Sequence, residues 1–176
     1  MYITPITKIH STFVEAKEFY DKFGGIVIFD DEKRLSFADL TQGKRNFIIG
    51  EPGIGKTMLL GEIKEYLDKE GITTKLIGLR EIDAVNRINS FLTAEGNNPK
   101  ALLLDALDEV QPSLFPVVLR EIKEISESHP NLSIYLSARW IFISRYASFF
   151  PEFPNIITIA VFTFPPDLSK YSSALL

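Results

Sequence analysis

The sequence contains no cysteine, so disulfide bonds and thiolate metal sites are excluded. This composition is compatible with a cytoplasmic protein, which is the location we expect. The two histidines, His10 and His129, lie far apart in the chain and have no neighbouring ligand pattern. We therefore expect ordinary core or surface histidines and no metal cage.

Long apolar runs and an excess of basic residues are also missing. The longest apolar stretches, such as IITIAVF, are too short to span a bilayer, and the N-terminus MYITPITKIH does not resemble a targeting segment. The formal net charge is -4, whereas proteins that bind nucleic-acid phosphates usually carry a basic excess. We therefore expect a soluble protein with neither a membrane nor nucleic acid as a direct partner.

The 176 residues are 45% hydrophobic, which at this length suits one core. After Asn46, short apolar runs alternate with segments of helical spacing. The runs predicted as strands are NFIIG, TTKLIGL, ALLLD, LSIYLS and NIITIAV, and the predicted helices are Lys56 to Glu70, Glu81 to Ala94 and Ser113 to Ser128. Nearly continuous apolar strands are typical of a parallel sheet that is covered on both faces. The sequence therefore predicts an α/β, three-layer core with a mainly parallel five-stranded sheet.

The segment before Asn46 has a weaker pattern. Val14 to Lys22 is predicted as a helix, and GIVIFDDEKRLSF is predicted as a hairpin that turns at Asp30 to Lys33. We expect this segment to pack against the α/β core as an N-terminal extension.

The stretch NFIIGEPGIGKTMLL matches the phosphate-loop pattern, with Gly50, four residues, then Gly55, Lys56 and Thr57 between a predicted strand and a predicted helix. Glycines let the backbone curl so that its N–H groups point at an anion, and the helix N-terminus adds positive charge. Lys56 is predicted to reach the β- and γ-phosphates, and the Thr57 hydroxyl to bind magnesium. The predicted nucleotide-binding residues are consecutive: Gly50, Glu51, Pro52, Gly53, Ile54, Gly55, Lys56, Thr57 and Met58.

The stretch KALLLDALDEV supplies a carboxylate for the metal. Asp105 follows the apolar run Ala101 to Leu104 and is predicted to be the second magnesium ligand. In an alternative interpretation the strand ends at Asp108 and Glu109 instead, but this would bury Asp105 unpaired within the apolar run. Asp108 and Glu109 are both candidates to orient a water for attack on the γ-phosphate, and the sequence does not choose between them. A solvated acidic turn is the alternative interpretation of these two residues.

The stretch LSIYLSARW presents Ser137 and Arg139 at a predicted strand end. An isolated arginine in this position is more often simply solvated. Given the two preceding motifs, however, we predict that Arg139 senses the γ-phosphate. Arg80, Arg87 and Arg145 have loop or helical settings without such a placement, and we interpret them as structural.

Taken together, GEPGIGKTMLL, LLLDALDE and LSAR resemble the NACHT branch of the STAND nucleotide-binding proteins, which are signal-transducing relatives of the AAA+ ATPases. The most specific piece is DALDE, because NACHT proteins carry a small residue after the Walker B aspartate and further acidic residues shortly after it. Ala106, Asp108 and Glu109 fit that pattern. The resemblance covers roughly Phe37 to Tyr171.

This resemblance implies a switch that binds ATP or ADP with magnesium, hydrolyses ATP slowly or conditionally, and assembles into a homo-oligomer in signalling or antiviral defence. Family members also carry lid, sensor and effector domains, which we expect to be missing partners of this chain. We accordingly divide the chain into an N-terminal extension at 1–36, a nucleotide-binding domain at 37–164, and a tail at 165–176 that leads towards an absent lid. Without a lid, we expect micromolar or weaker affinity and little turnover.

Two alternatives stay open. One is an AAA+ remodelling ATPase that uses the same fold for continuous turnover, and the other is a nonhydrolysing interaction module or degenerate fragment that keeps the loop only for folding. A remodelling motor usually pairs aspartate and glutamate directly at the strand end, whereas here Ala106 follows Asp105. The sequence does not distinguish ATP from GTP.

Overall fold

Six strands form one sheet in the part of the chain that the structure describes. The computed structural model describes residues 6–12, 14–18, 36–94, 100–146 and 155–160. The strands are β1 Ile6–His10, β2 Arg45–Ile49, β3 Thr73–Gly78, β4 Lys100–Asp105, β5 Ser133–Ala138 and β6 Asn155–Ala160. Their order is β1-β6-β2-β5-β4-β3, and all neighbours are parallel except β1 and β6. The predicted α/β class is confirmed, and each predicted run overlaps a strand to within one residue at the ends where the strand extends beyond it. The antiparallel edge strand β1, which comes from the predicted extension, was not foreseen.

Helices accompany the strands along the chain. They are α1 Phe37–Leu40, α2 Lys56–Lys69, α3 Ala84–Thr93, α4 Phe115–Ser128 and α5 Trp140–Tyr146, with a 3-10 turn at Leu107–Glu109. The three predicted helices are present as α2, α3 and α4, and residues 14–18 are also helical. The rest of the first predicted helix and nearly all of the predicted hairpin lie outside the described residues. Within the described parts of the chain, no helix combines the length and the hydrophobicity that a bilayer crossing requires.

The sheet has an apolar core on each face. One core joins the strands to α3, α4 and α5 and includes Phe47, Leu104, Leu136, Ile88 and Ile122. The other joins them to α1 and α2 and includes Ile48, Leu103, Tyr135, Leu60 and Ile63. Because alternate residues of a strand point to opposite faces, the central strands must be apolar at nearly every position. The edge strand β3 instead alternates between more exposed and more buried residues.

A buried arginine joins β2 to the end of α4. Arg45 is 8% exposed, and its guanidinium donates to the Ser126 hydroxyl at 2.7 Å, to the Ser126 carbonyl at 2.7 Å and to the His129 carbonyl at 3.0 Å. It also donates to the Leu132 carbonyl. Carbonyl groups at a helix C-terminus carry partial negative charge, so they compensate the buried cation. Arg45 thus holds α4 against the strand that leads into the phosphate loop.

The core also contains a tyrosine hydroxyl without a partner among the described residues. Tyr135 is fully buried, and burial raises the pKa of its phenol. Leaving a buried donor unpaired costs about 1–3 kcal/mol. We therefore expect Tyr135→Phe to leave the free energy of unfolding unchanged or to raise it by about 1 kcal/mol, as measured by chemical denaturation. A loss above about 1 kcal/mol would mean that the hydroxyl has a stabilising partner.

Candidate functional site

The three predicted motifs meet at the carboxyl edge of the sheet. Strand β5 lies between β2 and β4 and is parallel to both, so the segments that follow these three strands are neighbours. The Gly50 amide at the start of the loop donates to the Ala138 carbonyl at the end of β5 at 3.4 Å. The loop, the Asp105 segment and the Arg139 segment are therefore brought together by strand order.

The loop before α2 depends on glycine conformation. Gly53 has φ of 76° and Gly55 has φ of 103°, both in the region that disfavours residues with a Cβ atom. A Cβ at Gly55 would lie 3.7 Å from Met58 Cε, an ordinary contact, so the backbone angle and not space requires glycine there. Helix α2 begins at Lys56 with no acidic residue in its first turn. Its positive N-terminal end is therefore available to an anion.

Lys56 folds back over the loop. Its ammonium donates to the Gly50 carbonyl at 2.8 Å and to the Glu51 carbonyl at 2.9 Å. Burial is the largest influence on the pKa of Lys56 and lowers it, while the nearby Asp108 carboxylate opposes that shift. A lowered pKa means that the charged form is incompletely compensated, so an added phosphate would stabilise it.

Thr57 and Asp105 form the pair that was predicted to bind magnesium. Strand β4 ends at Asp105, as predicted, and the Thr57 hydroxyl donates to Asp105 Oδ2 at 2.6 Å. Magnesium in nucleotide sites typically takes one or two carboxylates and completes its shell with phosphate and water. Among the described residues, no group of three or more His, Cys, Asp or Glu side chains is placed to hold a metal. The hydroxyl and carboxylate therefore fit magnesium brought by a nucleotide better than a metal caged by protein alone.

The two acidic candidates after β4 have different surroundings. The Asp108 side chain is 6% exposed, and it accepts from the Arg139 amide at 3.0 Å and lies 2.7 Å from Arg139 Nε. Glu109 is 39% exposed and lies 3.5 Å from Arg139 Nη2 and 3.7 Å from Arg80 Nη1. Asp108 thus holds Arg139 through both of its oxygens, whereas Glu109 makes longer ion pairs at the surface. Exposed ion pairs of this length contribute little to stability.

These segments enclose a cavity of about 370 Å³. This volume is near the lower end of the range for small-molecule sites, roughly 300–1,000 Å³. The lining residues come from the loop, from the start of α2 and from the ends of β4 and β5: Pro52, Gly53, Gly55, Lys56, Thr57, Met58, Asp105, Ala106, Asp108, Glu109 and Arg139. Gly50, Glu51 and Ile54 are predicted loop residues that are not among them. Gly50 and Glu51 instead offer their carbonyl oxygens to Lys56.

A comparison of the sequence with models of protein families identifies the family to which the chain belongs. A model of the ATPase family associated with various cellular activities (AAA) matches residues 47–143, more than half of the chain. The chain belongs to the AAA family. The matched segment contains every lining residue of the cavity, so this AAA domain is a nucleotide-binding P-loop ATPase. No curated protein matches the chain in sequence.

Sequence reasoning gave no site role to two residues that lie in the AAA site, Ala106 and Ser137, or to a third that lies beside it, Arg80. Ala106 lines the cavity, Ser137 donates to Asp105, and Arg80 lies beside Glu109. Arg80 is not among the lining residues, and an exposed ion pair with Glu109 leaves its interpretation as structural in place. It follows β3, whose last residue pairs with Asp105 of β4. The signal that could have located Arg80 was therefore its position just past a strand end at the same edge of the sheet.

Proposed function

We propose that this AAA domain is the magnesium-ATP-binding switch of a STAND/NACHT-type signalling or defence protein, with slow or conditional hydrolysis. The observation that carries the proposal is the backbone immediately after Asp105. Ala106 has φ of 60° and ψ of 53°, a left-handed conformation that is uncommon for a residue with a side chain. Alanine places no carboxylate next to Asp105, and the first acidic residue beyond it, Asp108, is already bound to Arg139.

The surrounding residues support nucleotide binding in distinct ways. The α2 N-terminus and Lys56 would hold phosphate oxygens, because both present positive charge at the cavity. Thr57 and Asp105 would hold magnesium, which when bound would offset the charge of the β- and γ-phosphates. Arg139 would reach the γ-phosphate only by weakening its ion pair with Asp108. Competition between Asp108 and phosphate for Arg139 would make its position depend on the bound nucleotide, which is a property that a switch requires.

An AAA+ remodelling ATPase is the second candidate, and the family match favours it as directly as it favours a switch. The two proposals differ in turnover. A remodelling motor hydrolyses continuously, whereas the switch should hold ATP with turnover well below about 1 s⁻¹, the low end for ordinary enzymes.

The test is calorimetric titration with ATP and ADP, with magnesium and with EDTA, followed by measurement of phosphate release over a range of protein concentrations. The switch proposal expects magnesium-dependent binding, slow release, and a larger oligomer with ATP than with ADP. Brisk turnover at all concentrations would favour the remodelling ATPase. Failure to bind either nucleotide would favour the nonhydrolysing interaction module.

The two acidic residues give a prediction that separates their roles. Glu109 is more exposed than Asp108 and is held only by longer ion pairs, so it is the carboxylate that is better placed to orient a water. We therefore expect Glu109→Gln to slow phosphate release by about a hundredfold while ATP affinity stays unchanged. Asp108→Asn keeps an acceptor for the Arg139 amide but loses the charge, so we expect a smaller effect on turnover and a measurable change in ATP affinity. Single-turnover kinetics with saturating ATP measure both. Unchanged turnover in both variants would show that neither carboxylate is catalytic.

A further inference from the structure

A buried serine stands behind the carboxylate that is proposed to bind magnesium. Ser137 is fully buried, although serine is polar and most serines are exposed. Its hydroxyl donates to Asp105 Oδ1 at 2.5 Å and accepts from the Ala106 amide at 2.9 Å. Both contacts lie within the segment that joins β4 to the acidic turn. No function was assigned to Ser137 from the sequence.

Strand geometry explains why Ser137 is in reach. Leu104 of β4 pairs with Leu136 of β5, so the residues that follow them, Asp105 and Ser137, are neighbours across the sheet. Side chains alternate between faces, which places both on the face that α2 covers. Helix α2 carries Thr57, whose hydroxyl binds the other oxygen of Asp105. The carboxylate is thus held between a serine from β5 and a threonine from α2.

We infer that Ser137 is the positioning residue that orients Asp105 towards magnesium and holds the left-handed turn at Ala106. A free carboxylate has broad torsional freedom about its last bond. With Oδ1 bound to Ser137, the Asp105 carboxylate presents Oδ2 to Thr57 and to the proposed metal. Partners that orient a metal ligand in this way typically contribute tenfold to a hundredfold to metal affinity.

The same hydroxyl links the metal side of the site to the acidic side. Ala106 is the N-terminal flank of the 3-10 turn that carries Asp108 and Glu109, and the Glu109 amide donates to the Ala106 carbonyl at 3.0 Å. Asp108 in turn binds Arg139, which lies two residues after Ser137. The end of β5 therefore holds two of the three carboxylates of the site, Asp105 through Ser137 and Asp108 through Arg139.

The inference rests on the proposed binding of magnesium-ATP, and it is tested by the ratio of ATP affinities with magnesium and with EDTA. We expect Ser137→Ala to reduce this ratio by about tenfold or more, with the affinity in EDTA unchanged. Thermal unfolding with and without magnesium-ATP supplies a second readout, in which the magnesium-dependent shift should shrink. Ser126→Ala is the matched control, because it removes another buried serine hydroxyl, at Arg45, away from the site. The control should lose stability and keep the wild-type ratio.

Ser137→Cys covers the case in which the alanine protein does not fold. Its thiol is similar in size and a weak donor, so the same direction of change is expected. If a folded Ser137 variant loses stability but keeps the wild-type ratio, the serine is only structural and the inference is overturned. If the wild-type chain itself binds ATP equally with magnesium and EDTA, the magnesium assignment fails first, and this inference fails with it.

Discussion

Replacing Lys56 by alanine is expected to weaken ATP binding by about a hundredfold or more while leaving the fold intact. Lys56 is proposed to bind the β- and γ-phosphates of ATP. Hydrogen bonds that involve a charged group contribute about 1.5–3 kcal/mol each, so the loss of these two corresponds to at least a hundredfold in affinity. In this structure the ammonium contacts only the carbonyl oxygens of Gly50 and Glu51 among the described hydrogen-bond acceptors. These carbonyls belong to the loop, so the apolar cores should not be affected. Calorimetric titration measures the affinity, and circular dichroism checks the fold.

Lys64→Ala is the matched control for this prediction. Lys64 lies on the same helix and pairs with Asp68 at 2.5 Å on the exposed surface, outside the cavity. Its replacement should leave ATP affinity unchanged, which separates a loss of local contact from a loss of positive charge on α2. A Lys56→Ala protein that binds ATP with wild-type affinity would contradict the phosphate-loop assignment.

Asp105→Ala should remove most of the magnesium dependence of ATP binding. A residue that only supports a metal ligand already contributes tenfold to a hundredfold to metal affinity, so a direct ligand should contribute about a hundredfold or more. The loss should be small in EDTA, since Asp105 is proposed to contact the metal and not the phosphates. We also expect lower stability, because the buried Ser137 hydroxyl loses the acceptor for its proton, at a cost of about 1–3 kcal/mol.

The comparison must therefore be made within the variant, by titrating the same folded preparation with and without magnesium. Asp68→Ala serves as the control, because it removes an exposed carboxylate that binds Lys64 and Thr74 at 2.5 Å on the surface. It should keep the wild-type dependence on magnesium. Equal losses of affinity in both conditions for Asp105→Ala would count against a role at the metal.

The ion pairs around Arg139 bear on how such a domain could change state. Arg139 contacts Asp108 through its backbone amide and its side chain, and it also reaches Glu109. Glu109 in turn lies near Arg80, which is 71% exposed on the neighbouring loop. A γ-phosphate that attracts Arg139 would leave Asp108 as a buried carboxylate with one fewer partner, which is costly. The exchange would then tie nucleotide state to the conformation of the acidic turn.

Local patterns in the sequence were sufficient to predict five of the six described strands, the main helices and the phosphate loop. Apolar runs such as ALLLD predict buried strands, because a strand covered on both faces must be apolar on both. The glycines of the loop predict its curl, because two of them adopt positive φ. The end of β4 at Asp105 was predictable for the same kind of reason, since a carboxylate within the apolar run would have been buried unpaired. Each of these inferences depends on residues that are close together in the chain.

Tertiary structure decided what depends on residues far apart in the chain. The order of strands puts β5 between β2 and β4, and only then do Ser137 and Arg139 reach Asp105 and Asp108. The difference between Asp108 and Glu109 could not be read from the letters DALDE, because burial beside Arg139 distinguishes two otherwise similar carboxylates. Edge strand β1 was also unforeseen, since its pairing with β6 joins segments at opposite ends of the chain. The sequence by itself determined which chemical groups are present and in what local conformation, and the packing of the strands determined which of those groups act on one another.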